Sequence, residues 1–211
     1  MTRSSEKLTL TGAAGSIEAH LDRPESTTPR GVAVVAHPHP LYGGSLDNKV
    51  VQTLARAFTE LDYVAVRPNF RGVGASEGVH DHGEGETDDL VAVCEWALGE
   101  FAAQRVALAG FSFGAFVQTR VARRVPAERL VLVGIPNGLI QGARSYSPEP
   151  VPEDTLVIHG EQDETVPIAR VFEWALPQEL PVVVIPGADH FFHRRLHIIR
   201  RIVQGNWHRA P

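Results

Sequence analysis

The chain contains one cysteine and no excess of basic residues, and both scarcities exclude classes of protein. Cys94 cannot form an internal disulfide, and a single thiol excludes zinc or iron–sulfur sites built from cysteines. The 20 Lys and Arg residues stand against 25 Asp and Glu residues, which gives a formal net charge of −5. That balance, without any long Lys/Arg run, argues against a protein that binds nucleic acid or an anionic membrane surface.

Long apolar segments and nucleotide-binding motifs are also missing. No apolar run approaches the roughly 18 residues of a membrane-spanning helix, and residues 1–7 lead into no signal-peptide core. We therefore expect a cytoplasmic protein without membrane partners. The sequence has no G-K-[ST] of a P-loop, and the glycines of 72–78 (GVGASEG) have the wrong spacing for a dinucleotide fingerprint. No cofactor is expected.

The composition is that of an ordinary globular domain. Of the 211 residues, 43% are hydrophobic and 21% are charged. At this length folding buries about two-thirds of the unfolded chain's surface, enough for a full core. No internal repeat, linker or low-complexity stretch divides the chain, so we expect a single domain over 1–211.

Short Val-rich runs alternate with helical patterns along most of the chain. Polar and apolar residues alternate at 7–12 and 16–21, on either side of a glycine-containing turn, which predicts a hairpin. Six short apolar runs follow, typical of strands buried on both faces, at 31–36, 63–67, 106–109, 130–134, 156–158 and 182–185. Helical patterns lie between or after them, at 47–61, 89–98, 113–124, 166–176 and 191–204.

This order of elements predicts βαβ units. The expected fold is α/β, with a mainly parallel sheet of about eight strands and helices on both faces. The one loose region is the Pro/Ser-rich connection 143–153.

The segment 110–114 (GFSFG) directly follows a predicted strand and directly precedes a predicted helix. In that context G-x-S-x-G forms a sharp turn whose glycines leave room for a strained serine. Such a turn lifts the Ser112 hydroxyl to the carboxyl edge of the sheet. It also places the Phe113 N–H at a helix N-terminus, where an oxyanion is stabilised. The alternative is a tight turn of small residues without a catalytic role.

A serine nucleophile needs a histidine base, and the histidine needs an acid to orient it. Asp163 lies just past the predicted strand 156–158, and His190 lies just past 182–185. The order Ser, Asp, His is the one expected on this kind of sheet, whose ligands bind at the carboxyl ends of the strands. The sequence therefore predicts a triad of Ser112, Asp163 and His190.

These segments together resemble the α/β-hydrolase superfamily over nearly the whole chain. The matching segments are 110–114 for the nucleophile elbow, 160–167 for the acid loop, 187–190 for the histidine loop and 68–76 for the R-G-x-G-x-S turn. The stretch 37–44 (HPHPLYGG) is similar to that of small bacterial serine hydrolases without a lid.

The oxyanion loop departs from the family pattern. Residues 37–40 (HPHP) stand where the family has H-G-x, with Pro38 in place of the usual glycine. By the resemblance, the second oxyanion donor is the backbone N–H of His39. Pro38 and Pro40 have no N–H to donate, which leaves Leu41 as the other candidate.

The resemblance implies a serine hydrolase, and we expect a carboxylesterase that cleaves small-molecule esters through an acyl-enzyme, with no metal. The same triad would also serve a thioesterase, an amidase or a peptidase. A non-catalytic binding module on the hydrolase scaffold is the alternative from a different class, because fold alone does not fix function. No oligomeric state is predicted.

Other acids lie near the predicted triad. Asp189 adjoins His190, but adjacent side chains in an extended loop diverge, so Asp163 is the better partner. Glu161 and Glu164 are interpreted as solvated loop charges.

Two further groups have the composition of metal sites but not the pattern. His193 and His197 stand four residues apart, yet no H-E-x-x-H pattern accompanies them. The run 80–89 (HDHGEGETDD) lacks the ligand order of a calcium loop, and we interpret it as a polar loop that ends in the first turn of a helix.

The connection 135–155 is too short for a cap of several helices, and it carries Pro136, Pro148, Pro150 and Pro152. Without a cap, Ser112 is expected to lie in a shallow, open groove.

Overall fold

A computed structural model describes residues 5–207. Its strands are β1 (Glu6–Gly12), β2 (Gly15–Asp22), β3 (Gly31–Ala36), β4 (Tyr63–Pro68), β5 (Val106–Phe111), β6 (Ala127–Val133), β7 (Gly138–Ile140), β8 (Arg144–Tyr146), β9 (Leu156–Gly160) and β10 (Val182–Ile185). Its α-helices are α1 (Lys49–Thr59), α2 (Glu84–Glu100), α3 (Phe113–Val121), α4 (Ile168–Ala175) and α5 (Leu196–Trp207). The predictions of a leader-free N-terminus and of one domain over 1–211 extend to residues outside the described range.

Eight strands form one sheet in the order β1-β2-β4-β3-β5-β6-β9-β10. The pairs β1–β2 and β2–β4 are antiparallel, and the other neighbours in this sheet are parallel. Every residue of the central strands β4 and β5 is buried, as expected for strands covered on both faces. The predicted fold class is confirmed.

Two apolar layers lie on opposite faces of the sheet because successive strand residues point to opposite sides. Val34 and Leu108 belong to the layer that packs against α2, α3 and α4. Val35 and Ala109 belong to the layer that packs against α1 and α5. Helices therefore cover both faces, and the carboxyl ends of the parallel strands meet at one edge.

The helix predicted at 89–98 begins earlier, at Glu84. The Glu86 carboxylate accepts hydrogen bonds from the N–H groups of Asp81 (2.9 Å) and Gly83 (2.8 Å). The Asp81 carboxylate accepts one from the Gly85 N–H (3.1 Å). N–H groups at a helix start lack intrahelical partners, so these carboxylates stabilise an additional turn where a loop was predicted.

The helix predicted at 191–204 begins later, at Leu196. Phe192 and Arg194 have φ angles of 54° and 61°, which an α-helix does not accommodate. The segment before α5 is therefore a series of turns. The other three helices are shorter than predicted by a few residues at their ends.

The prediction of a loose connection at 143–153 was wrong for Arg144–Tyr146, which form strand β8. Strand β8 pairs antiparallel with β7 and forms a small hairpin outside the main sheet. Between β6 and β9 the structure contains this hairpin and no α-helix. None of the helices within residues 5–207 has the length and apolar character needed to cross a membrane.

Candidate active site

Ser112 occupies the turn between β5 and α3, with φ 54° and ψ −119°. A Cβ atom on Gly110 would lie 2.4 Å from the carbonyl oxygen of Gly114. A Cβ atom on Gly114 would lie 2.5 Å from the carbonyl oxygens of Ala36 and His37. Only glycine permits these approaches, so close backbone packing holds the serine in its strained conformation.

Ser112, His190 and Asp163 form a hydrogen-bonded chain. The Ser112 Oγ lies 3.1 Å from His190 Nε2, and His190 Nδ1 lies 2.7 Å from Asp163 Oδ2. The three residues follow β5, β10 and β9 at the same edge of the sheet, and each is at most 6% exposed. In such an arrangement a histidine can accept the serine proton while a carboxylate holds the imidazole ring in place.

The Asp163 carboxylate is fixed by its own loop. Its Oδ1 accepts hydrogen bonds from the N–H groups of Thr165 (2.9 Å) and Val166 (2.8 Å). These bonds leave Oδ2 directed at His190.

His159, which the sequence analysis did not single out, packs behind this carboxylate. Its Nε2 lies 2.9 Å from the Val166 carbonyl and 3.5 Å from Asp163 Oδ2. Burial lowers the pKa of His159, although the charge of Asp163 opposes this effect. A neutral ring therefore supports the acid loop. The sequence feature that could have indicated this role is a histidine near the end of an otherwise apolar strand, β9.

The acid loop and the histidine loop are bonded to each other. The Glu161 carboxylate accepts a hydrogen bond from the Gly187 N–H (2.8 Å), and the Gln162 N–H donates to the Ala188 carbonyl (2.9 Å). Glu161 is exposed, like Glu164, but its carboxylate joins the loops that carry Asp163 and His190 rather than only meeting solvent. The sequence-based interpretation of Glu161 was therefore incomplete.

Asp189 points to a different histidine. Its Oδ2 lies 2.6 Å from His193 Nδ1, and both side chains are exposed. His197 is also exposed on α5. Within residues 5–207 there is no cluster of three or more His, Cys, Asp or Glu side chains arranged to hold a metal ion.

The Phe113 N–H lies at the start of α3. As the first residue of the helix, Phe113 has no intrahelical acceptor for its N–H, and the helix dipole makes this end positive. The contact of Gly114 with the end of β3 brings this N–H beside the loop that contains His39.

The orientation of the His39 N–H follows from the imidazole of His37. His37 Nε2 accepts a hydrogen bond from the Phe70 N–H (2.9 Å), so Nδ1 carries the proton and donates to the Pro38 carbonyl (2.6 Å). The peptide between Pro38 and His39 is planar and trans, so its N–H points away from the carbonyl and from His37. A proline at position 38 is compatible with this arrangement, because the N–H group of this peptide belongs to His39 and not to the proline.

The other candidate donor, Leu41, is already engaged. Its N–H donates to His39 Nδ1 at 3.3 Å. Burial and the charges of His80, Arg144 and His82 lower the pKa of His39 to about 4, so its ring is a neutral acceptor. These contacts favour His39 over Leu41.

His37 makes stability depend on pH. Burial lowers its pKa from 6.5 to about 4, against the opposing hydrogen bond to Pro38. Between pH 6.5 and about pH 4, the His37 imidazole is protonated in the unfolded chain but not in the folded chain. The free energy of unfolding is therefore highest above pH 6.5 and decreases as the pH falls toward 4. The full loss is about 3.4 kcal/mol, of which about 2 kcal/mol falls between pH 7 and pH 5. Urea unfolding of wild type and His37→Gln at pH 7 and pH 5 measures it.

We expect a smaller decrease in the free energy of unfolding between these pH values for His37→Gln than for wild type. His197→Gln removes an exposed histidine and should retain the wild-type decrease. Equal decreases for wild type and His37→Gln would contradict the assignment of a buried, neutral imidazole.

A cavity of about 270 Å³ opens above Ser112 and His190. The remaining lining residues are Pro38, His39, Tyr42, Gly43, Gly44, Asn48, Gln141, Gly142, Arg144, Thr165 and Phe191. The prediction of a shallow groove was wrong about its depth. Tyr42, Phe191 and the β7–β8 hairpin form walls around Ser112, which is only 5% exposed. The volume lies just below the range of about 300–1,000 Å³ typical of small-molecule sites.

The model of the X-Pro dipeptidyl-peptidase (S15) family matches residues 15–137, more than half of the chain. The chain belongs to this family. The matched range contains His39, Ser112 and Phe113, whereas Asp163 and His190 follow it.

Solved structures and a further relative extend the similarity beyond residue 137, over nearly the whole chain. A serine hydrolase without a lid from Xanthomonas campestris is 38% identical, with a TM-score of 0.89 over 100% of this chain and 99% of that one. A serine hydrolase homologue from Coxiella burnetii is also 38% identical, with a TM-score of 0.83 over 95% of this chain and 96% of that one. An uncharacterized protein of Rickettsia prowazekii is 30% identical over 93% of this chain and 89% of its own length. This family member is therefore an α/β serine hydrolase without a lid.

Proposed function

We propose that the protein is a carboxylesterase that hydrolyses small acyl esters through an acyl-enzyme. The observation that carries this proposal is the hydrogen-bonded chain Ser112–His190–Asp163, with distances of 3.1 Å and 2.7 Å, at the floor of a cavity of about 270 Å³. A serine hydroxyl that already donates to a buried, oriented imidazole is arranged for nucleophilic attack.

In the proposed reaction the Ser112 Oγ attacks the acyl carbonyl carbon while His190 Nε2 takes the hydroxyl proton. The tetrahedral intermediate collapses, and the ester C–O bond breaks as His190 returns that proton to the leaving alcohol. Water then attacks the acyl carbon and gives a proton to His190. The bond between the acyl carbon and the Ser112 Oγ breaks as His190 returns this proton to Oγ, which releases the acid and restores the serine hydroxyl. Asp163 holds the tautomer with the proton on Nδ1 throughout.

The developing oxyanion is stabilised by two backbone donors in this proposal. The Phe113 N–H lies at the positive end of α3, and the His39 N–H points away from the His37 ring. Donors held in advance cost no reorganisation when charge develops on the oxygen, which is why such sites contribute strongly to the rate.

Cleavage of X-Pro dipeptides from peptides is the second candidate, because the family is named for that activity. A substrate of this kind presents an N-terminal ammonium group, which a buried site would pair with a carboxylate. No Asp or Glu from the described residues lines the cavity. The lining therefore supports the ester over the peptide.

Parallel assays with 4-nitrophenyl butyrate and Ala-Pro 4-nitroanilide test this choice. We expect turnover of the ester and no anilide cleavage above that of Ser112→Ala. Anilide cleavage that depends on Ser112, without comparable esterase activity, would favour the peptidase and contradict the proposal.

Acyl chain length should limit activity. Each buried methylene contributes about 0.8 kcal/mol, and this gain ends once the cavity is full. With about 270 Å³ available, we expect the highest kcat/KM for acyl groups of about two to four carbons. A series of 4-nitrophenyl esters, with Ser112→Ala as background, measures this dependence. A kcat/KM that rises steadily to long chains, or a jump when the substrate forms an emulsion, would contradict it.

A further inference from the structure

Arg144, the first residue of β8, lines the cavity that contains Ser112 and His190. Among the described lining residues it is the only Arg, Lys, Asp or Glu. The sequence has a net charge of −5, so this cavity is positive in a chain that is negative as a whole.

The guanidinium of Arg144 is held in position. Its Nε and Nη2 atoms donate to the Gln141 carbonyl at 3.2 Å and 3.0 Å, and its central carbon lies 4.3 Å from the centroid of the Tyr42 ring. Burial raises the pKa of Tyr146, whereas the charge of Arg144 and its hydrogen bond to the Tyr146 hydroxyl lower it. A group fixed in this way loses little conformational entropy when it binds a ligand.

The charge of Arg144 is not neutralised by a neighbouring acid. Within residues 5–207, no carboxylate lies within 4.0 Å of its guanidinium. The more deeply buried Arg67 and Arg71 instead pair with Asp22 (2.6 Å) and Asp89 (2.7 Å).

The hydrogen-bonding capacity of Arg144 is also incompletely used. A guanidinium has five N–H donors. The two bonds to the Gln141 carbonyl use two of them, which leaves up to three for Tyr146 and for another acceptor.

We propose that the substrate is a small ester that carries a carboxylate group, and that Arg144 binds this carboxylate. The inference rests on the proposed esterase activity and narrows its substrate class. An arginine fork matches the two oxygens of a carboxylate, and such charge-assisted pairs are stronger than neutral hydrogen bonds. The cavity of about 270 Å³ restricts the molecule to a small one, with its carboxylate on either the acyl or the alcohol part.

Two matched ester pairs test the inference and distinguish the position of the carboxylate. Monomethyl glutarate and dimethyl glutarate differ by a charge on the acyl part. 4-Acetoxybenzoate and its methyl ester differ by a charge on the alcohol part. The kcat/KM of all four esters is measured for wild type, Arg144→Gln and Arg105→Gln. Arg105 is an exposed arginine just before β5, at the opposite edge of the sheet.

We expect wild type to prefer the charged member of at least one pair. Arg144→Gln should lower kcat/KM for that ester by about tenfold or more, while its neutral counterpart changes by less than about twofold. Arg105→Gln should leave both values unchanged. Retained turnover of the neutral ester also shows that Arg144→Gln is folded.

Preference for the neutral member of both pairs, or equal losses for charged and neutral esters in Arg144→Gln, would overturn the inference and leave the esterase proposal intact. If wild type hydrolyses none of the four esters and no 4-nitrophenyl ester, the esterase proposal fails, and this inference fails with it.

Discussion

Replacing Ser112 with alanine is expected to lower kcat for ester hydrolysis by a factor of about 10⁴ or more. The variant loses the attacking oxygen, and His190 then has no hydroxyl from which to take a proton. Alanine differs from serine by that one oxygen, so the turn between β5 and α3 and the free energy of unfolding should change little. The measurement is steady-state kinetics on a short 4-nitrophenyl ester, with thermal unfolding as a check of the fold.

Ser26→Ala is a matched control. Ser26 lies between β2 and β3, at the edge of the sheet opposite to the cavity, and its hydroxyl bonds only locally to Thr28. This variant should keep wild-type kcat. A Ser112→Ala enzyme that retains more than about a tenth of wild-type activity would show that another residue is the nucleophile.

His190→Ala should produce a loss of similar size, because the members of a catalytic triad act as a unit. The imidazole connects Ser112 at 3.1 Å with Asp163 at 2.7 Å, so its removal leaves the serine without a base. We expect kcat to fall by a factor of about 10⁴ while KM changes far less. Kinetics on the same ester measures both values.

His193→Ala provides the comparison within the same loop. His193 is exposed and bonds to Asp189 rather than to the triad, so its removal should leave most of the activity. An inactive His193→Ala variant together with an active His190→Ala variant would reverse the assignment of the base.

The main sheet could be predicted from the sequence because its strands are continuous apolar runs. Residues 106–109 (VALA) are such a run, and the strand β5 that contains them is buried throughout. The β7–β8 hairpin could not be predicted in the same way. Its strands have three residues each, too few to show a hydrophobic period. Its geometry depends on the left-handed φ angles of Gly138, Gly142 and Ala143.

The positions of Ser112, Asp163 and His190 followed from strand order, since residues after neighbouring parallel strands meet at one edge. Supporting residues were harder to find. The ring of His37 acts through a bond to Phe70, which lies 33 positions away in the sequence. Arg144 enters the cavity from the unpredicted hairpin. Such contacts depend on tertiary packing, which local patterns do not record.

The start of α5 shows the limit of periodicity. Residues after 191 have a helical spacing of apolar side chains, yet the positive φ angles of Phe192 and Arg194 delay the helix. These turns allow His190 to face Ser112 while Asp189 faces His193. The conformation of the residues before α5 thus places these side chains instead of extending the helix.

The most direct test of the account is reaction of the protein with a fluorophosphonate probe, followed by peptide mass spectrometry. Such probes phosphonylate an activated serine. We expect one adduct, on Ser112, which Ser112→Ala abolishes, His190→Ala greatly slows and Ser26→Ala leaves unchanged. An adduct on another residue, or no adduct on the folded protein, would contradict the central claim that Ser112 is a nucleophile activated by His190 and Asp163.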